Sequence, residues 1–432
     1  MAAGIVMRPA GTVTDVFDDA ADREGAYRFL SNEAVSPQAL TGAMCDASAR
    51  QCAAHRRVFI AVDGSSLSLP DAQGIRGLGG VGAWKDFGRG LQVITALALQ
   101  EDGTVLGVCE QHWWARMRPS PKKPCDRRKL EDKETRFSHE VLTGALGRLR
   151  GYAPDTLAIS VMDRGFDCWP VLKTCEDGAH FIVRAALDRR LADGPRGGRK
   201  YLRSTLASQP MLGGYGVEVP SRAGRPARVA RMQLQCARVT LQLPVTRKKR
   251  VPLELNVILA REVGSPKGEG LHWMLLTTEP IDTLEQVTSL VKAYTFRWRI
   301  EEMHKIWKSG GGHVEDTQLR SRDAIIKWAT LHCAVAARAL RLTQLARTQP
   351  GVPATTEFSQ AEIDAAIILR RKRTKRRIGD VPPLGEMVRM VADLGGYTGK
   401  SSGGPPGAVV IGRGLERILV AAEVVAAMEQ EK

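Results

Sequence analysis

Asp63 and Asp163 each follow a short apolar run. Val58-Phe59-Ile60-Ala61-Val62 leads into the first, and Leu157-Ala158-Ile159-Ser160-Val161-Met162 leads into the second. Backbone at the end of a buried strand is rigid, while a polar side chain there can reach solvent. Two carboxylates so placed on neighbouring strands would suit a divalent cation, because hard cations take oxygen ligands. Taken alone, each aspartate also reads as an ordinary turn residue after a strand. A third carboxylate lies on a helical segment. Tyr294, Arg297, Glu301 and Lys308 stand at offsets of 3, 7 and 14 residues. At ~100° per residue they share an arc of roughly 60°. Phe296, Ile300, Met303 and Trp307 fall on a separate arc and form a packing stripe. A solvated helix face with ion pairs is the plain alternative, and Arg297 and Glu301 fit such a pair. It does not explain two tryptophans, Trp298 and Trp307, amid so many charges.

The elements that must position these groups follow from the patterning. Residues 1–50 read as helical and irregular. After the strand ending at Asp63 comes a Gly-rich stretch, then strands over Leu91–Leu99 and Val105–Trp113 joined through Glu101-Asp102-Gly103. A polar, basic loop covers 115–132, and a helix covers 133–150. The strand ending at Asp163, a helical piece over Trp169–Cys175 and a strand at His180–Val183 complete the order β-ββ-α-β-α-β. That is the order of a ribonuclease H-like core, an α/β fold with a mixed sheet flanked by helices. Residues 185–270 break the pattern and read as a β-rich insertion. Met232–Cys236 and Val239–Leu243 alternate with period two there. A strand over Leu271–Thr277 precedes one helix from Thr283 to Ser309, stopped by Gly310-Gly311-Gly312. Helices over 323–347 and 359–371 and from about Leu415 make a helical C-terminal region. The expected division is 1–50 as a short N-terminal part, 51–320 as the ribonuclease H-like domain with its β insertion at about 185–270, and 321–432 as the helical region.

Composition narrows the partner. The 432 residues carry 63 Lys and Arg against 47 Asp and Glu, a formal net charge of +16. Such an excess points to a polyanion, either nucleic acid or an anionic membrane. No apolar run reaches the ~18 residues that a transmembrane helix needs. No basic segment followed by an apolar one opens the chain. Nucleic acid is therefore the expected partner. The eight cysteines form no Cys-x-x-Cys pair and read as thiols in a reducing cytoplasm. Gly77–Gly82 fits G-x-G-x-x-G but lacks the strand before it and the helix after it. His304 reads as structural. Arg222, Arg225, Arg228 and Arg231, the run Arg247–Arg250 and the run Arg370–Arg377 are candidate phosphate-contacting surfaces or solvated tips.

The segment from Tyr294 to Lys308 resembles the Tyr-x2-Arg-x3-Glu-x6-Lys signature of bacterial insertion-sequence transposases with an Asp-Asp-Glu triad, of the cut-and-paste, composite-transposon type. Further blocks are similar in order: Glu24–Phe29, Val58–Leu69, Glu110–Pro119, Met162-Asp163-Arg164, Leu271–Pro280 and Leu394–Tyr397. The resemblance implies that Asp63, Asp163 and Glu301 bind two Mg2+ ions, or Mn2+. It implies cleavage of double-stranded DNA at transposon ends, a hairpin intermediate, and 3′-hydroxyl attack on target DNA by a homodimer in a synaptic complex. Tyr294, Arg297 and Lys308 would hold a phosphate beside a flipped base, with that base stacked on Trp273. Without the resemblance, Trp273 reads as a core aromatic on a strand. Arg28, Arg164 and Arg184 match positions near DNA. The expected location is the bacterial cytoplasm, at the nucleoid. The resemblance implies that 321–432 is a dimerisation region and that 1–50 is a shortened DNA-binding remnant, since relatives carry a longer segment ahead of the Glu24–Phe29 block; the chain could instead act as a truncated, non-transposing inhibitor that pairs with a full-length transposase. A housekeeping ribonuclease H-like nuclease would not need the Tyr-Arg-Glu-Lys row.

Overall fold

The computed structural model describes residues 1, 5, 10–71, 73–82, 88–116, 129–192, 200–219, 227–245, 249–264, 270–308, 312–399 and 405–430. Arg222, Arg225, Arg247, Lys248, Cys125, Gly310, Gly311 and most of the 115–132 loop lie outside the described residues.

Three helices open the chain, α1 (Val13–Val16), α2 (Ala20–Ser31) and α3 (Pro37–Cys52). Side-chain caps start them: Asp19 accepts from Ala21 and Asp22, and Ser36 accepts from Ala39 with Pro37 at the first helical position. Then come β1 (Arg57–Ser68), β2 (Gly79–Gly80), β3 (Arg89–Leu99), β4 (Val105–Trp114), α4 (Thr135–Tyr152), β5 (Leu157–Met162), α5 (Trp169–Leu172) and β6 (His180–Arg184). The region expected to be β-rich contains α6 (Leu202–Ala207), β7 (Gly213–Val219), β8 (Arg228–Pro244) and β9 (Arg250–Glu262), followed by β10 (His272–Thr277). Six helices finish the described chain: α7 (Leu284–Thr295), α8 (Trp298–Lys308), α9 (Arg322–Thr348), α10 (Gln360–Leu369), α11 (Leu384–Leu394) and α12 (Ala408–Gln430).

The chain divides into two compact units. One comprises His55–Asp63 and Ser120–Trp298; the other comprises Met1–Ala54, Gly64–Pro119 and Arg299–Lys432. In the first, strands run in the order β1-β5-β6-β10-β9-β8-β7. The β1–β5 and β5–β6 pairs are parallel, and the remaining pairs are antiparallel. Parallel strands must be covered on both faces, which is why β1 and β5 are near-continuous apolar runs. α4 packs on β5 and buries Phe137, Val141, Leu142, Ala145, Leu146 and Leu149, a helical stripe.

In the second unit β3 pairs antiparallel with β4 and with β2. Gly79 and Gly80, part of the G-x-G-x-x-G match, are thus strand residues beside Gly90 and Arg89. The C-terminal helices enclose their own core, including Leu342, Phe358, Ile363, Met387, Val391, Ile411, Leu415 and Ile418. Among the described residues no helix is long and apolar enough to cross a membrane, and no disulfide links the described cysteines.

The α/β class with a mixed sheet and a helical C-terminal region is as expected. Four element readings change. β1 does not stop at Asp63 but continues through Gly64-Ser65-Ser66 to Ser68. Met232–Cys236 and Val239–Leu243 belong to one 17-residue strand, β8. The helix expected over Thr283–Ser309 is two, α7 and α8, separated at Phe296 and Arg297. α12 begins at Ala408, seven residues before the expected start, because its glycines serve close packing. A Cβ added to Gly414 would stand 1.7 Å from Val391 O, and one added to Gly395 would stand 1.9 Å from Val410 O. The backbones of α11 and α12 approach so closely only because both positions lack a side chain. Gly414→Ala is accordingly expected to cost about 1–3 kcal/mol through overpacking. A fall in the thermal unfolding midpoint would register it, whereas Gly412→Ala, with open space around the added Cβ, should leave the midpoint near the parent value.

Candidate active site

The β1–β5 register pairs Val58 with Ala158 and continues residue by residue to Val62 with Met162. Asp63 and Asp163 are the next residues along the two segments. Side chains in the same row of neighbouring strands point to the same face, and adjacent strands lie about 4.8 Å apart. Asp63, still on β1, and Asp163, at the cap of a turn, are thus the residues next after the last register pair. β5 ends at Met162, and Asp163 caps the 3-10 turn Arg164–Phe166 by accepting the Gly165 N–H (2.7 Å). Asp63 accepts from Arg297 Nη1 at 3.2 Å, in a pair whose side chains are 10% (Arg) and 17% (Asp) exposed.

Arg297 belongs to a wider cationic cluster in the same unit. Tyr294 is buried at the end of α7. Burial pushes its hydroxyl above the usual tyrosine range, while Arg297 and Arg184, both hydrogen-bonded to it, pull the other way. Arg184, at the end of β6, also donates to His272 O (3.0 Å). His272 is held below the usual histidine range by burial and then by Arg203, Arg184 and Arg261. The local field is therefore positive. Trp273 is only 3% exposed on β10. Its ring meets Tyr294 edge-on at 5.4 Å and Trp298 at 6.3 Å. Arg164 is exposed in the turn after Asp163.

Glu301 and Lys308 lie on α8 in the other unit, two turns apart on one face. Glu301 is exposed, in the first turn of the helix. The row expected on one continuous helix is therefore divided: Tyr294 closes α7, Arg297 lies in the joint, and only Glu301 and Lys308 share α8. The expected packing stripe is sound within α8, where Ile300, Met303 and Trp307 are fully buried. Trp307 donates to Ala329 O (2.9 Å) and packs edge-on against Trp113. Lys308 pairs with Glu315 at 3.4 Å, and Glu315 accepts the Ser68 N–H at 2.6 Å. Arg28 is exposed on α2. Among the described residues no three His, Cys, Asp or Glu side chains cluster in a way that could hold an ion.

Asp167 and Arg189 escaped the sequence reading. Asp167 is buried and accepts the N–H groups of Ala186 and Leu187 (2.8 and 3.2 Å) and Arg189 Nε (2.9 Å). This clamp ties the turn that carries Asp163 to the chain leaving β6. No local motif signals a pair 22 residues apart whose partners meet only in the fold.

Two family models match the chain. Residues 138–337 match the Transposase DDE domain, and residues 334–429 match the Transposase Tn5 dimerisation domain. Asp163, Trp273, Tyr294, Arg297, Glu301 and Lys308 lie within the first segment, and Asp63 precedes it. Residues 138–337 thus carry a transposase DDE domain, which indicates an enzyme that cleaves DNA and transfers strands. Its C-terminal helices carry a dimerisation domain of the Tn5 transposase type. Enzymes with this catalytic domain generally work with divalent metal ions.

Two histidines behind the α8 stripe give the fold a pH dependence. Burial lowers His304 to about 4, with Lys308 adding to the effect, and burial alone lowers His332 to about 3. Both are neutral in the folded protein at pH 7. The unfolded chain takes up their protons near pH 6.5, so stability is complete above that value and falls as pH drops from about 6.5 toward 4. Urea unfolding at pH 7.5 and pH 5 should give a lower midpoint at pH 5, and His332→Phe should reduce that difference; equal midpoints for the parent chain would contradict the burial of both rings.

Proposed function

We propose that the chain performs cut-and-paste transposition: it cleaves DNA at transposon ends, passes through a hairpin intermediate, and joins the freed 3′-hydroxyls to target DNA. Asp63, Asp163 and Glu301 are the metal-binding and catalytic carboxylates in this reading. The observation that supports it is that Asp63 and Asp163 directly follow Val62 and Met162, the last register pair of the parallel strands β1 and β5, in a chain whose residues 138–337 match a transposase DDE domain. The donor chemistry fits a hard divalent cation, since all three residues offer carboxylate oxygen. Two Mg2+ ions, or Mn2+, would activate the attacking oxygen and stabilise the leaving one when bound.

The rest of the work belongs to the chain's own side chains. Arg297, Tyr294 and Lys308, the remaining members of the Tyr-Arg-Glu-Lys signature, hold a phosphate of the cleaved end. Guanidinium and ammonium supply charge and the phenol a hydrogen bond. Arg297 already hydrogen-bonds to Tyr294, so the two act together. Trp273 is the stacking partner of a displaced base, a contact worth ~1–3 kcal/mol. Its ring now packs against Tyr294 and Trp298, so stacking requires that packing to open. Arg28, Arg164 and Arg184 contact the DNA backbone. The active form is a homodimer held through 334–429, acting at the nucleoid in the bacterial cytoplasm.

The test is cleavage of a plasmid bearing the element's terminal repeats, with Mg2+ present. Loss of a metal-binding carboxylate removes several kcal/mol of transition-state stabilisation. Asp163→Asn and Glu301→Gln should therefore cut at least ~10³-fold more slowly, while band shifts on the repeats stay near the parent affinity. Nicking by Asp163→Asn at the parent rate would sink the reading.

A further inference from the structure

The run from Arg370 to Arg377 lies between α10 and α11, beyond the segment matched by the DDE domain. Seven cations in eight residues repel one another, so such a run would be expected to splay freely. It does not. Arg370 pairs with Asp393, and Arg376 pairs with Glu386 through two hydrogen bonds. Both anchors reach back to α11. Between them the backbone is folded on itself: Arg373 and Thr374 N–H donate to Arg370 O, and Arg376 N–H donates to Thr374 Oγ1. Beyond the second anchor, Arg377 N–H donates to Asp380. Two arginines thus fix the turn from below. Arg371, Lys372, Arg373, Lys375 and Arg377 are left at the surface, and no ion pair among the described residues takes up any of their side chains.

We propose that these five side chains form a contact surface for the sugar–phosphate backbone of target DNA. A preordered turn loses less conformational entropy on binding than a free tail would. The surface presents charge only. It offers neither a helix nor a strand to enter a groove, so it reads no sequence. Transposon ends must be recognised by sequence, whereas the DNA that receives the strand is held through its backbone. The inference rests on the strand-transfer half of the proposed reaction, and its failure is separable from failure of the catalytic reading.

Each phosphate neutralised contributes about 0.9 to the slope of log K against log salt on duplex DNA. The experiment compares full-length parent with a variant carrying Arg371→Gln, Lys372→Gln, Arg373→Gln and Lys375→Gln, binding a duplex without terminal repeats between about 50 and 300 mM salt. The expected result is a slope shallower by about 2 to 4, with strand transfer reduced at least ~10-fold at moderate salt and cleavage of transposon ends unchanged. A second variant, with Arg and Lys exchanged at the same four positions, should keep the parent slope. An unchanged slope in the Gln variant overturns the proposal. So does equal loss of end cleavage and strand transfer, which would assign the surface to the transposon end. Exposed Ile368, Leu369, Ile378 and Val381 flank the turn. Should the Gln variant change the sedimentation coefficient and not the slope, the face is a protein contact and the proposal fails.

Discussion

The parallel register of β1 and β5 is the constraint from which the site follows. A strand's side chains alternate between faces, so sliding one strand by a single residue would turn its whole row the other way. The two strands keep one unbroken register from Arg57–Leu157 to Val62–Met162, with Phe59, Ile60, Ala61 and Val62 buried beside Ile159, Val161 and Met162. The aspartates that follow therefore take their places from apolar neighbours. The Asp167–Arg189 clamp continues the same logic into the turn. A buried ion pair is favourable only if its remaining hydrogen-bonding groups are satisfied. Asp167 meets that condition by accepting two backbone N–H groups besides the arginine.

Much of this arrangement is legible in the sequence. The apolar runs, the β3–β4 hairpin, the helix over Thr135–Tyr152 and the long C-terminal helices all follow from periodicity. Residue type and spacing make Asp63, Asp163 and Glu301 candidates, and it is the resemblance to Asp-Asp-Glu transposases that selects them over turn residues and a solvated helix face. What stayed hidden is tertiary. Nothing in Ala293–Arg299 breaks a helix by propensity, since neither Gly nor Pro occurs there. The break comes from what three successive side chains reach. Phe296 packs on Phe59, Arg297 pairs with Asp63, and Trp298 meets Trp273. On a continuous helix three consecutive side chains point about 100° apart and cannot all serve one surface. In the same way Gly64, Ser65 and Ser66 argue against a strand by composition, yet β1 runs through them, and the chain after it stays in step with β3, Leu69 N–H donating to Arg89 O (2.9 Å). α12 begins earlier than its composition suggests because glycine's cost in a helix is outweighed by close contact with α11.

The cations attributed to DNA binding are not idle in the folded chain. Arg297 is held by Asp63 and Tyr294, Lys308 by Glu315, and Glu315 by the Ser68 N–H. The partly exposed Lys308–Glu315 pair contributes little to stability, about 0–1 kcal/mol. Such pairs order long, flexible side chains within the folded chain, so their rotamer entropy is lost on folding.

α9 joins the two matched segments, since residues 334–337 belong to both. Its first half fastens the N-terminal helices. The buried Lys327 ammonium donates to Leu30 O and Asn32 O (2.9 and 2.8 Å) at the end of α2, where unpaired carbonyls and the helix dipole favour a cation. Trp328 donates to Gly11 O, and Thr330 meets Thr41 across α3. Its second half carries Arg338 and Arg341, which reach Glu362 within α10 and Glu357 ahead of it, and it lends Leu342 and Leu345 to the C-terminal core. A single helix of 27 residues is about 40 Å of stiff rod. Contacts made at one end of that rod cannot be rebuilt without moving those at the other. The same helix thus links the C-terminal core to α2, which carries Arg28, and to the Trp307 packing that seats α8.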